Sequence, residues 1–162
     1  MNPMSRFINY YPRPVTDAYE AYSYVEDSIS NTDISFLAAT AKIATTSQYR
    51  FRIAAMIVKS GRVLGADVNQ RKITASTPPN RVSTHAEVRV IKNTRNVRGA
   101  TLYVARLRSE DIHALARPCG WCMQEILDAG INRVVFTTNA NIGSSFYTDM
   151  ITWKDDSHEH HS

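Results

Sequence analysis

The chain has 162 residues, 43% hydrophobic and 21% charged with a formal charge of +4, enough for one domain with a substantial core. No apolar run approaches the roughly 18 residues of a membrane span, and the polar stretch Asn9 to Tyr11 lacks the apolar middle of a secretory signal, so a soluble, cytoplasmic protein is expected. The mild basic excess, with a pI near 9.2, suits phosphate-bearing partners, although Lys and Arg are scattered and form no dense run.

Residues 1–30 carry Tyr10, Tyr11, Tyr19, Tyr22 and Tyr24 without clean periodicity and are expected to form an extension packed on the body. From Asn31 the pattern turns regular. Ile34, Leu37, Ala38 and Ala41 recur at helical spacing, and Asn31 or Asp33 signals the helix start. Phe51 to Lys59 reads as a buried strand, Ser60-Gly61 as a turn, and Arg62 to Asn69 as a second, antiparallel strand. A polar loop with Pro78-Pro79 follows, from Gln70 to Ser83. Residues 84–94 are expected to be a short helix with Val88 and Ile91 facing inward.

Gly99 precedes the strand Ala100 to Ala105. Pro118 is placed at the first position of the next helix, which runs through Ile126 and Leu127 and stops at Gly130 as a C′ glycine. Val134 to Thr137 form a further strand. The order α-β-β-α-β-α-β, with a hairpin first and strand-helix-strand alternation after it, predicts an α/β fold: a three-layer α-β-α sandwich on a mixed sheet. One domain is expected over 31–152. A loose polar tail is expected over 153–162, whose His158, His160 and His161 take no catalytic part.

The only two cysteines, Cys119 and Cys122, are too few and too close for a disulfide scaffold and read as metal-binding or redox-active. Thioredoxin-like redox chemistry wants the pair early in the chain, after a first strand, and here it lies late. Three residues apart, the two thiols project from one helix face, and a helix start favours their thiolate forms. His85, in Thr84-His85-Ala86-Glu87, opens another helix. Two thiolates and an imidazole suit zinc, and three protein ligands leave a fourth position open, as catalytic sites do. Water held there has its pKa drawn down toward ~7, and Glu87, two residues beyond His85, is placed to move its proton. Other readings stand beside this one. Thr84-x-x-Glu87 also fits a helix capping box, and His113 could complete a closed structural zinc site.

Taken together, His-x-Glu opening one helix, Pro-Cys-x-x-Cys opening the next and a strand between them resemble the signature of the cytidine and deoxycytidylate deaminase superfamily of zinc deaminases. The similarity covers about Thr32 to Thr138. It implies a cytidine deaminase-like fold, Zn2+ held by His85, Cys119 and Cys122, and Glu87 as proton shuttle. It also implies that Asn69, which otherwise reads as a turn former, and Ala86 border the substrate.

Arg71, Lys72 and Arg81 lie near the expected pocket mouth, where they either pair with a 5′-phosphate or stay solvated. Arg117 stands where many relatives carry Glu or Ser and joins the substrate-binding candidates. The stretch 106–117, longer than in compact relatives, either walls the pocket or forms a surface loop.

The resulting expectation is hydrolytic deamination of a cytosine-bearing nucleotide or nucleoside. Deamination of a base in tRNA or single-stranded DNA is the alternative, less favoured because aromatic and basic residues do not interleave. A non-catalytic zinc-stabilised module is the rival from another class. Homo-oligomers are compatible with the resemblance.

Overall fold

Alternation along three central strands places the core on both faces of one sheet. The computed structural model describes residues 22–48, 51–71, 83–139 and 143–153. In chain order its main elements are β1 (Tyr22–Ser23), α1 (Asn31–Ala44), β2 (Arg52–Lys59), β3 (Arg62–Val68), β4 (Gln70–Arg71), β5 (Ser83–Thr84), α2 (Ala86–Asn93), β6 (Thr101–Leu107), β7 (His113–Ala114), α3 (Gly120–Asp128), β8 (Arg133–Thr137), β9 (Gly143–Tyr147) and β10 (Thr152–Trp153). The main sheet runs β3-β2-β6-β8-β9, with β7 paired to β6.

Successive strand residues point to opposite faces. Ala54, Met56 and Val58 of β2, Tyr103, Ala105 and Leu107 of β6 and Val135 of β8 pack against Leu37, Ala41 and Ala44 of α1. Ala55 and Ile57, Leu102 and Val104, and Val134 and Phe136 face the other way, onto Ala86 and Val90 of α2 and Met123 and Ile126 of α3. The architecture is therefore the expected three-layer sandwich.

The β2–β3 hairpin is antiparallel, and its two-residue loop has Ser60 and Gly61 at φ of 52° and 75°; positive φ at both loop positions matches the right-handed twist of the strands. β6 and β8 are parallel, joined by the α3 crossover. Gly130, at φ 78°, follows the C-cap Ala129, as expected of a C′ glycine.

Several boundaries and faces differ from the sequence reading. Phe51 precedes β2 and is exposed, and β3 ends at Val68. The N-cap of α1 is Ser30, whose hydroxyl accepts from the Asp33 amide while the Asp33 carboxylate accepts from the Ser30 amide. The buried face is Asp33, Leu37, Thr40, Ala41 and Ala44, while Ile34 is 52% exposed and Ala38 faces solvent. The face is rotated because Asp33 turns inward to a paired cation. Arg133 donates to its carboxylate at 2.9 and 2.8 Å, and the Tyr103 hydroxyl donates at 2.8 Å.

α3 begins at Gly120 with Cys119 as N-cap, so Pro118 lies two residues before the helix and not at its first position. In α2 the inward residues are Ala86, Glu87, Val88 and Val90; Ile91 is half-buried.

Two main-sheet strands, the short β7 and β9, went unread in the sequence. β9 pairs antiparallel with β8, and its buried Ser144 and Ser145 are bonded to Glu26, Asp27 and Ser28. β1 pairs with β10 in the register Tyr22↔Trp153 and Ser23↔Thr152, so Trp153 is fastened to the body. Tyr10, Tyr11, Tyr19, Pro78, Pro79, His158, His160 and His161 lie outside the described residues. No helix among the described residues is long and apolar enough to cross a membrane.

Candidate active site

Two helix starts converge on the same point. The short β4–β5 ladder pairs Gln70 with Thr84 and delivers the chain into α2, whose N-cap is His85. Because the cap falls at His85 and makes no side-chain cap hydrogen bond, Thr84 and Glu87 are not placed as a capping box.

The approach to the second helix start is pinned step by step. β7 folds back on β6, pairing His113 with Leu107, and Arg52 bonds both the Asp111 carboxylate (2.7 Å) and the Arg108 carbonyl. The insert is thus a tethered hairpin and not a loose loop. The Thr137 hydroxyl donates to the Ala114 carbonyl at 2.7 Å, and the Ala116 amide donates to the Thr137 carbonyl at 3.0 Å. At Cys119 the sulfur caps α3 by accepting from the Cys122 amide at 3.5 Å.

His85 Nδ1 lies 3.0 Å from Cys122 Sγ and 3.8 Å from Cys119 Sγ. The three potential ligand atoms all fall within 4.8 Å of one another. Trp121 sets its ring edge-on to His85 with centroids 5.4 Å apart, and Val88 packs against both cysteines.

Charge in the cluster is unevenly held. The hydrogen bond from the Cys122 thiol, opposed by burial and helped by His85, draws the Cys119 thiol down to about 4. The same bond and burial push Cys122 up. A thiolate therefore forms here readily, as a helix start favours.

Glu87 is only 5% exposed. Burial raises its pKa and the charge of Cys119 adds to this, against the pull of His85, a backbone amide and the Cys122 thiol. A carboxyl in that position takes up and gives back a proton nearer neutrality than an exposed one.

Two sulfurs and one imidazole nitrogen are a donor set suited to zinc. Among the described residues no fourth His, Cys, Asp or Glu joins the group. His113, held on β7, is not part of it, which removes the closed four-ligand reading built on that residue.

The other sequence candidates fall as follows. Ala86 is fully buried in the core beside the cluster. Asn69 is buried, but its amide braces the fold: Oδ1 accepts from Ser47 Oγ (2.9 Å) and the Ile53 amide (3.0 Å), while Nδ2 donates to the Phe51 carbonyl (2.6 Å). Arg117 lays its guanidinium over the Tyr24 ring, 5.9 Å from the centroid. Arg71 pairs through its backbone with Ser83. Lys72 and Arg81 lie outside the described residues.

One neighbour of the cluster was missed. Tyr22, buried, donates from its hydroxyl to the Pro118 carbonyl at 2.5 Å. The N-terminal tyrosines offered no periodicity that could have singled it out.

The family model for the cytidine and deoxycytidylate deaminase zinc-binding region matches residues 30–138. Among solved structures, the chain is similar to the dCMP deaminase of the cyanophage S-TIM5 in apo form. The identity is 19% and the TM-score 0.50, covering 67% of this chain and 84% of that one. The same phage enzyme in complex with dCMP and dUMP gives 19%, 0.49, 68% and 83%. Cytidine deaminase from Mycobacterium tuberculosis gives 19%, 0.44, 65% and 84%. At these identities the likeness concerns the fold. No curated protein sequence matches significantly.

Proposed function

The chain belongs to the cytidine and deoxycytidylate deaminase family, and from that premise we propose that it hydrolytically deaminates a cytosine-bearing nucleotide or nucleoside to the uracil form and ammonia. The observation that carries this reading is the meeting of His85, Cys119 and Cys122 beside the buried carboxyl of Glu87.

In this reading His85, Cys119 and Cys122 hold the metal, and Cys119 does so in the deprotonated form that its hydrogen bonds favour. Zinc, when bound, supplies Lewis acidity that makes a hydroxide-strength nucleophile available near neutral pH. Glu87 accepts the proton released as water adds to the ring carbon bearing the amine. It returns that proton to the ring nitrogen, then carries the proton of the newly added hydroxyl to the amine, so that ammonia leaves and the carbonyl of the uracil form remains. Val88 and Trp121 shield the cluster from bulk water and strengthen the electrostatic grip of its groups. Asn69 and Ala86, both buried, stand behind the base and sugar, with the Asn69 amide held by Ser47, Ile53 and Phe51. Arg71, Lys72 and Arg117 provide positive charge toward a 5′-phosphate through charge-assisted hydrogen bonds.

Incubation of the zinc-loaded protein with CMP, dCMP, cytidine and deoxycytidine, with ammonia as readout, tests the proposal. Ammonia from at least one supports it. Silence with all four, alongside activity on an RNA or single-stranded DNA oligonucleotide, would replace it by base editing.

A further inference from the structure

The peptide that enters the Cys119 turn is fixed from outside the segment that carries the motif. The Tyr22 hydroxyl donates to the Pro118 carbonyl at 2.5 Å, across 96 positions of sequence. Pro118 immediately precedes Cys119, so the orientation of its carbonyl sets the plane of the peptide from which Cys119 departs.

Tyr22 is itself firmly placed. Its residue is 3% exposed, and its ring packs on Tyr24, Phe146 and Trp153 with centroids 6.2, 6.5 and 5.8 Å away. Its backbone pairs with Trp153 in the β1–β10 ladder. The rest of the approach is anchored to β8, through the bonds of Thr137 to Ala114 and Ala116. Between Ala116 and the N-cap sulfur, the Tyr22 hydroxyl is a hydrogen-bond tether on the chain from the other side, next to the stacking of Arg117 on the Tyr24 ring.

We propose that Tyr22 is a positioning residue for the metal centre, a clasp that orients the Pro118–Cys119 peptide and thereby the Cys119 sulfur. The inference rests on the zinc reading of the cluster and extends it to a residue outside both motifs. Groups that orient metal ligands typically change metal affinity or activity by 10–100-fold when removed, and Tyr22 acts on the ligand through its peptide. The β1–β10 ladder places Trp153 behind Tyr22, so a strand remote in sequence backs the clasp.

The test compares three full-length proteins: wild type, Tyr22→Phe and Thr148→Val. The last removes buried hydroxyl bonds to the Ile131 and Asn132 carbonyls, outside the approach to Cys119, and serves as the control for general destabilisation. Zinc release to a chromogenic chelator is timed below the melting temperature of all three. The metal-free proteins are also loaded with cobalt(II), and their thiolate-to-metal charge-transfer bands recorded.

Tyr22→Phe is expected to release zinc about 10-fold faster or more and to shift the cobalt bands, with Thr148→Val resembling wild type in both. Wild-type release and an unchanged cobalt spectrum in Tyr22→Phe, or equal effects in Thr148→Val, would overturn the clasp. A wild-type protein that binds no zinc would instead overturn the zinc reading beneath it.

Discussion

His85 and Cys122, 37 residues apart in the chain, place an imidazole nitrogen and a sulfur 3.0 Å from each other at the starts of two neighbouring helices. Both are held by the fold around them, with Cys122 fully buried in the first turn of α3. That pair, with Cys119 alongside, ties metal binding to stability.

Cys119→Ala is therefore expected to lose zinc and to lower the melting temperature. The metal binds the folded site and not the open chain, so its binding free energy adds to folding. The check is metal content by elemental analysis together with thermal unfolding. A variant that keeps a full equivalent of zinc would count against Cys119 as a ligand. A chelator applied to the wild type should lower its melting temperature as well.

Glu87→Gln is expected to behave differently. Glu87 is buried with its pKa raised, so a neutral amide of the same shape fits the site with little change in zinc content or stability. Deamination should fall by about 100-fold or more, the scale of positioned proton transfer. Rate measurements on zinc-matched samples decide it. An unaltered rate would assign the proton to another group and would favour a non-catalytic zinc module.

Arg71 and Lys72 give a specificity prediction. In Arg71→Ala/Lys72→Ala, KM for dCMP should rise about 10-fold, the scale of a charge-assisted hydrogen bond of 1.5–3 kcal/mol, while KM for deoxycytidine stays put. Equal changes for both substrates would show that these cations do not meet the phosphate.

Asp33 supplies a pH-dependent term that is independent of the metal. Burial works against its charge, but the Arg133 guanidinium, the Ser30 amide and the Tyr103 hydroxyl outweigh it and hold the carboxyl well below the usual carboxylate range. The folded state thus binds this proton less readily than the unfolded chain. The stabilisation is complete above about pH 4, the ordinary carboxylate value, and is lost as pH falls below it. Asp33→Asn should cost about 3 kcal/mol at pH 7, as breaking a buried ion pair does. It should also flatten the decline of stability below pH 4 seen in the wild type. Denaturant unfolding at a series of pH values checks both.

The site was more legible in the sequence than the wall around it. His85, Glu87, Cys119 and Cys122 are read directly because metal chemistry restricts both residue type and spacing. The central strands show as apolar runs because α helices cover both their faces. β9 was illegible because Gly143-Ser144-Ser145 carries no apolar alternation; its buried hydroxyls are satisfied by the segment Glu26 to Ser28. The face of α1 was misread because an aspartate turned inward is intelligible only once Arg133, 100 residues away, is seen beside it. Pro118 suggested a helix start two residues too early because the cap belongs to the Cys119 sulfur, a weak acceptor that propensity reasoning passes over.

Zinc K-edge X-ray absorption on the purified protein tests the central claim most directly, since it counts the ligands at the metal. One zinc per chain is predicted, with two sulfurs at about 2.3 Å, one imidazole nitrogen at about 2.0–2.1 Å and a single further light-atom ligand. A zinc bound by four protein side chains, or by fewer than two sulfurs, would contradict the account.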